Sequence, residues 1–199
     1  MALFDEEFAA RLGGFDLDEL DRHDSAIYGV RSDFTLAYLN EAWFRFASDN
    51  HGEPRISSDW GLGRSLLNAI PTPLQTFYCE AYRRCLLSQK RWDHDYECSS
   101  SRQFRKFHQT AYPLGSDNGL LIVNSLTVEK PHPAAPLSVG TIEYENEHGI
   151  IQQCCYCRRI KRCDTADCWD WVPKWVEHSH PRTSHGLCPV CYRYYYPTK

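Results

Sequence analysis

The chain has 199 residues, enough for one ordinary domain with a small module beside it, and its 42% hydrophobic and 14% aromatic content excludes general disorder. The net charge of −4 is unevenly divided: the first 148 residues carry 14 Lys and Arg against 22 Asp and Glu, and the last 51 carry 8 against 4. Seven of the ten cysteines also fall in those last 51 residues, so charge and cysteine density change together at a boundary.

The start, MALFDEEFAARLGG, is acidic and amphipathic rather than signal-like, and no apolar run reaches the roughly 18 residues that span a bilayer. A cytoplasmic protein without membrane contact is expected, and there paired cysteines mean metal more often than disulfide. Phe4, Phe8, Ala9 and Leu12 recur at helical spacing until Gly13 and Gly14. A short helix with such a stripe cannot stand alone in water, so residues 1–23 are expected to form a flanking helix outside the sheet domain. It would bury Phe4, Phe8 and Leu12 against a second chain in a homodimer.

AIYGV and FTLAYLN then read as two strands around the turn RSD. EAWFRFASDN returns to helical pattern and ends at His51 and Gly52, and SLLNAI is a short helix. The clearest helix is PTPLQTFYCEAYRRCLLSQK, with Leu74, Phe77, Tyr78, Ala81, Tyr82, Cys85 and Leu86 on one stripe and prolines at its start. RWDHDYECS, QFRKFHQTAYPL and GLLIVNSLTVE read as strands, the last two joined by the hairpin turn GSDNG. The proline-rich KPHPAAPLSVG follows as a linker.

This order of elements, and AIYGVRSDFTLAYLNEAWFRFA in particular, resembles the PAS sensor family, in which two strands run into an Asn that starts the first helix. GLGRSLLNAI looks like the glycine-rich approach to the next PAS helix. The resemblance covers about residues 24–129. It implies an α+β fold, a PAS-like five-stranded antiparallel sheet with helices on one face, and a small-molecule ligand of unknown identity between sheet and helices. The domain layout expected is a flanking helix over 1–23, a sensor domain over 24–130, a linker over 131–148 and a module over 149–199. Haem would need an axial His, Cys or Met, but the long helix has no His, and His94 and His108 lie on strands, where they read as surface or core residues. Cys79 and Cys85 lack the Asn-Cys-Arg neighbourhood of flavin photochemistry and read as small core residues.

The module holds the sharpest motif. Cys154 and Cys157 form one C-x2-C, and Cys188 and Cys191 in SHGLCPVC form another. Two such knuckles supply the four tetrahedral thiolates that a structural zinc ion prefers, and 51 residues need a staple because they bury too little apolar surface unaided. Arg158, Arg159, Lys161 and Arg162 lie beside the first knuckle, where they would balance the negative charge of four thiolates on one ion. DCWDWVPKWVEH reads as a helix between the knuckles, with Trp169, Trp171, Val172 and Trp175 as a small core. Cys155, Cys163 and Cys168 read as spare thiols, and His185 as a group near the sulfurs or in place of one.

The arrangement CYCRRIK, then tryptophans, then SHGLCPVC resembles a short element that follows PAS and related sensor domains in bacterial signalling proteins. It implies metal binding at Cys154, Cys157, Cys188 and Cys191 in a zinc-ribbon-like module. A signal-transduction protein acting on a protein partner is therefore expected. Nucleic-acid binding is disfavoured by the small basic excess, and redox sensing through an iron–sulfur cluster or thiols stands as an alternative. Gly61 and Gly63 make no phosphate loop and no nucleophile–base set is visible, so no catalytic residues and no enzymatic activity are expected.

Overall fold

The computed structural model describes residues 2–99, 103–115, 118–131, 144–172, 175 and 180–197. Residues 132–143 of the expected linker, residues 116 and 117 of the hairpin turn and most of 173–179 lie outside them. The chain forms two compact units, one of Met1–Ile70, Gln75–Asp95 and His108–Leu126, the other of Pro71–Leu74, Tyr96–Phe107 and Thr127–Lys199. Among the described residues no helix is long and apolar enough to cross a membrane.

The chain is α+β, with an antiparallel sheet of six strands. The strands are β1 (Leu3–Phe4), β2 (Ala26–Val30), β3 (Leu36–Leu39), β4 (Trp92–Glu97), β5 (Gln103–Pro113) and β6 (Leu120–Pro131), in the order β1-β3-β2-β6-β5-β4. Helices α1 (Glu6–Arg11), α2 (Leu17–Arg22), α3 (Glu41–Asp49), α4 (Arg55–Asp59) and α5 (Thr72–Ser88) accompany it, with a 3-10 turn at Leu66–Ala69. The stripe expected on α5 is buried except at one position: Leu74, Tyr78, Ala81, Tyr82, Cys85 and Leu86 are buried, and Phe77 is half-buried. Cys85 is a core thiol whose Sγ donates to the carbonyl of Lys90 at 3.1 Å.

The N-terminal expectation is overturned. Leu3 and Phe4 are not helical but add a sixth, edge strand by pairing with Leu39 and Tyr38. Phe8 (1% exposed) and Leu12 (0%) are buried in their own chain, in one cluster with Ile27, Ala37, Tyr38 and Leu121, while Phe4 is half exposed. The docking is specific. A Cβ on Gly29 would stand 2.3 Å from the Phe8 ring, so the missing side chain is what lets α1 reach the sheet. Asp5 caps α1 by accepting from the Phe8 N–H at 3.0 Å and pairs with Arg31 at 2.9 Å. The dimer argument built on Phe8 and Leu12 falls with this finding.

Helices therefore do not keep to one face. Successive strand residues point to opposite faces. Phe8 covers Gly29, whereas Tyr82 of α5 donates from its hydroxyl to Gln109 Oε1 at 2.9 Å, and Gln109 Nε2 donates onward to Tyr28 and Asn124. A sheet covered twice explains why β2 and β3 are buried residue after residue from Ile27 to Val30 and from Leu36 to Leu39.

One side chain organises the entry to α3. Asn40, fully buried, accepts from the N–H groups of Ile27 (2.9 Å) and Trp43 (3.1 Å) through one oxygen. Its amide donates to the carbonyls of Leu20 (3.1 Å) and Ser25 (3.0 Å). It thus caps α3 and ties it to β2 and to the end of α2.

The second unit contains a four-stranded sheet in the order β10-β7-β8-β9, from β7 (Ile151–Cys154), β8 (Ile160–Lys161), β9 (Trp169–Asp170) and β10 (Thr183–Gly186). Helix α6 (Pro189–Tyr195) follows. Trp169 and Asp170 were expected in a helix; they instead pair with Lys161 and Ile160 as the edge strand β9. The tryptophans are not the sealed core either. Trp169, Trp171, Val172 and Trp175 are half-buried, and among the described residues of 149–199 the buried ones are Ile151, Gln153, Ile160, Tyr195 and the four knuckle cysteines. A unit this small encloses an isoleucine more readily than an indole.

Candidate metal centre

The first knuckle is the turn between β7 and β8. The N–H of Cys154 donates to the Arg159 carbonyl (2.8 Å) and that of Arg158 to the Cys154 carbonyl (2.9 Å). Arg158, with φ of 59°, takes the left-handed conformation that brings the chain round after Cys157. Gln153, nearly inaccessible, donates from its amide to the Arg158 carbonyl at 3.2 Å and so braces the turn from beneath.

The second knuckle joins β10 to α6. Cys188 is the N-cap of α6, Pro189 occupies the first turn, where a missing N–H is harmless, and Cys191 lies one turn in. The two knuckles meet because β10 runs parallel to β7, placing Gly186 opposite Cys154, and the Cys155 N–H donates to the Gly186 carbonyl at 2.9 Å.

The outcome is a buried group of Cys154, Cys157, Cys188 and Cys191 whose sulfurs all lie within 4.8 Å of one another. Cys157 and Cys188 have their Sγ atoms 3.7 Å apart. A disulfide needs about 2.05 Å, whereas four sulfurs each about 2.3 Å from a central zinc ion stand roughly 3.8 Å apart along a tetrahedral edge. Backbone N–H groups already point at the sulfurs, Cys188 toward Cys154 Sγ (3.4 Å) and Cys191 toward Cys188 Sγ (3.5 Å). The cluster is compatible with zinc or with iron–sulfur binding.

Proximity also divides the thiols' acidity. Hydrogen bonding from Cys157 holds Cys154 down at about 6, and hydrogen bonding with Cys154 draws Cys188 down as well. Cys157 and Cys191 are pushed up, first by hydrogen bonding with Cys154. The first thiolates to form are stabilised by the remaining S–H groups, and each later one meets negative charge. A divalent cation removes that opposition.

The other candidates stand apart. Cys155 is half-buried, and burial, followed by the charge of Cys154, pushes its thiol up to about 12. Cys163 is exposed, with its Sγ directed to the Tyr144 carbonyl at 3.3 Å, and Cys168 is half-buried. Neither belongs to a second group of metal-ligating side chains among the described residues. His185 is exposed on β10 and is not in the cluster. Of the basic run, Arg162 is engaged by Asp170 and not by the sulfurs, while Arg158 and Arg159 are exposed.

In the first unit, His94 packs against Trp92 in a stacked pair (ring centres 5.2 Å apart) and near Phe77 and Tyr78, and burial lowers its pKa to about 4. His108 is open to solvent between Asp95 (2.7 Å) and Asp93 (3.3 Å). Its hydrogen bond to the Asp95 carboxylate raises its pKa. Sequence reasoning missed Tyr156, whose hydroxyl accepts from the Glu97 N–H at 2.7 Å and whose ring packs on Tyr195. Its place in the cysteine turn was the available signal. No protein-family model and no curated protein matches the chain.

Proposed function

We propose that this is a signal-transduction protein in which a PAS-like sensor domain carries a zinc-stapled module, and that the module acts by contact with a protein partner. The observation that carries the reading is the buried convergence of Cys154, Cys157, Cys188 and Cys191. Its spacing supports a single tetrahedral ion, because an iron–sulfur cube seats each thiolate on a different iron and spreads the four sulfurs further apart. All four positions are taken by protein, which is the pattern of a structural rather than a catalytic zinc. The sensor reading rests on the antiparallel sheet, on α3 starting at Asn40 and on α5 laid over the buried polar set of Tyr28, Tyr82, Gln109 and Asn124. That set is where a small ligand would find hydrogen-bond partners.

Elemental analysis with native mass spectrometry tests the centre. The expected result is a colourless protein with one zinc per chain. A brown protein containing iron and absorbing in the blue would overturn the zinc assignment and favour redox sensing. Tight, steeply salt-dependent binding of nucleic acid would overturn the protein-contact reading.

A further inference from the structure

We infer that the cleft lined by Arg159, Trp169 and Arg193, beside the cysteine centre, binds a carboxylate side chain of an acidic segment in a partner protein. The inference rests on the protein-contact reading above and names the chemistry of that contact. The cleft has a volume of about 360 Å³ and is completed by Asp167, Cys188, Pro189 and Val190. That size suits a side chain or two rather than a large cofactor.

The cleft offers two guanidinium groups, those of Arg159 and Arg193. Among the described residues, Arg162 is held by Asp170, and Arg182 donates to the His148 carbonyl at 3.0 Å. Arg159 and Arg193 have no acidic partner of that kind among those residues. The Trp169 ring also lines the cleft, with its indole Nε1 buried and, among the described residues, without an acceptor. Two guanidinium groups on one cleft suit an anionic acceptor, and a carboxylate accepts from a guanidinium in bidentate fashion.

The rest of the lining selects among anions. Asp167 offsets part of the positive charge of the two arginines, which works against a chain of phosphates. Val190, 60% exposed, and Pro189 add an apolar shelf next to the charges, so an apolar residue beside the acidic one gains a contact. The competing account is that these arginines only balance the thiolates. It is separable, because it requires metal retention to depend on them.

The test uses full-length, metal-loaded protein and a fluorescein-labelled decapeptide alternating glutamate with leucine, read by anisotropy. Controls are the same peptide with glutamine for glutamate and a ten-nucleotide oligothymidylate, and metal content is measured on every sample. The glutamate peptide should bind at least tenfold more tightly than either control. The double variant Arg159→Gln, Arg193→Gln should lose at least tenfold in affinity while keeping its metal. By NMR, the indole N–H signal assigned through Trp169→Phe should shift when the glutamate peptide is added. Equal binding of the glutamine peptide, tighter binding of oligothymidylate, or no binding by a protein with one zinc per chain would overturn the cleft while leaving the centre standing. Loss of metal from the double variant would overturn it in favour of charge balance. Wild-type protein without zinc would instead overturn the parent reading.

Discussion

Replacing Cys188 by Ser isolates what the proposed zinc ion contributes to the second unit. Cys188 does two jobs: its sulfur is one of the four converging thiols, and it caps α6 by accepting from the Cys191 N–H. Serine is a good helix cap, so Cys188→Ser keeps the second job and removes the first. Structural zinc sites contribute about 10–16 kcal/mol to the folding of small modules, as much as or more than the roughly 5–15 kcal/mol net stability of a whole domain. Among the described residues of 149–199 the buried apolar side chains besides the cysteines are Ile151, Ile160 and Tyr195, too little to hold that segment alone. Zinc content should fall from one per chain to near none after brief chelation, and hydrogen exchange should lose protection over β7, β10 and α6. Cys163→Ser is the matched control. Its thiol is exposed, and a hydroxyl can make the same bond to the Tyr144 carbonyl, so it should change stability by no more than about 0.5 kcal/mol and leave zinc unchanged. Stoichiometric zinc with native exchange protection in Cys188→Ser would refute the assignment of this residue.

Phe8→Ala should destabilise the first unit by about 3–5 kcal/mol in urea unfolding, with no change in sedimenting mass, because its ring fills the space over Gly29 in its own chain. Asn40→Ala should cost about 3 kcal/mol or more, a lost helix cap plus the buried Ile27 N–H left unmet, and Asn40→Asp should destabilise too, since a buried carboxylate would face the Leu20 and Ser25 carbonyls to which the amide now donates. His94 stays neutral in the fold down to a pKa of about 4 because it is buried, whereas unfolded histidine protonates near 6.5. The unfolded state therefore binds more protons between those values, and stability should fall by about 3 kcal/mol as pH drops from 6.5 through 4. His94→Phe should flatten that limb in pH-dependent unfolding, and an unchanged slope would refute the assignment.

The strands AIYGV and LAYL, the stripe of α5 and the four cysteines were legible in the sequence because each is a local pattern: a β-branched and aromatic run, a 3.6-residue period, a fixed knuckle spacing. The stripe of Phe8 and Leu12 was equally legible, but it says only that a face is buried, not against what. The answer lay in two features at once, the unbroken burial of β2 and the glycine within it. A strand without alternation needs cover on both sides, and Gly29 is a socket. β9 failed for a different reason. Two residues carry no period, and their closeness to the helical Trp175 drew Trp169 and Asp170 into the expected helix, whereas they pair with Lys161 and Ile160.

What the knuckle spacing could not convey is how the second pair is brought to the first. β7 and β10 are four residues each and parallel, and closing the roughly 30-residue excursion between them costs about 3 kcal/mol, growing only slowly with length. Parallel pairing is no stronger per residue than antiparallel, and β8 and β9, at two residues each, add little. A one-residue slip of β10 would leave Cys154 no longer opposite Gly186 and would break the Cys155 bond to the Gly186 carbonyl. It would also carry Cys188 away from the other three sulfurs. The register of this small sheet and the convergence of the thiols are therefore one condition, and an ion that binds all four sulfurs selects the only register in which they meet.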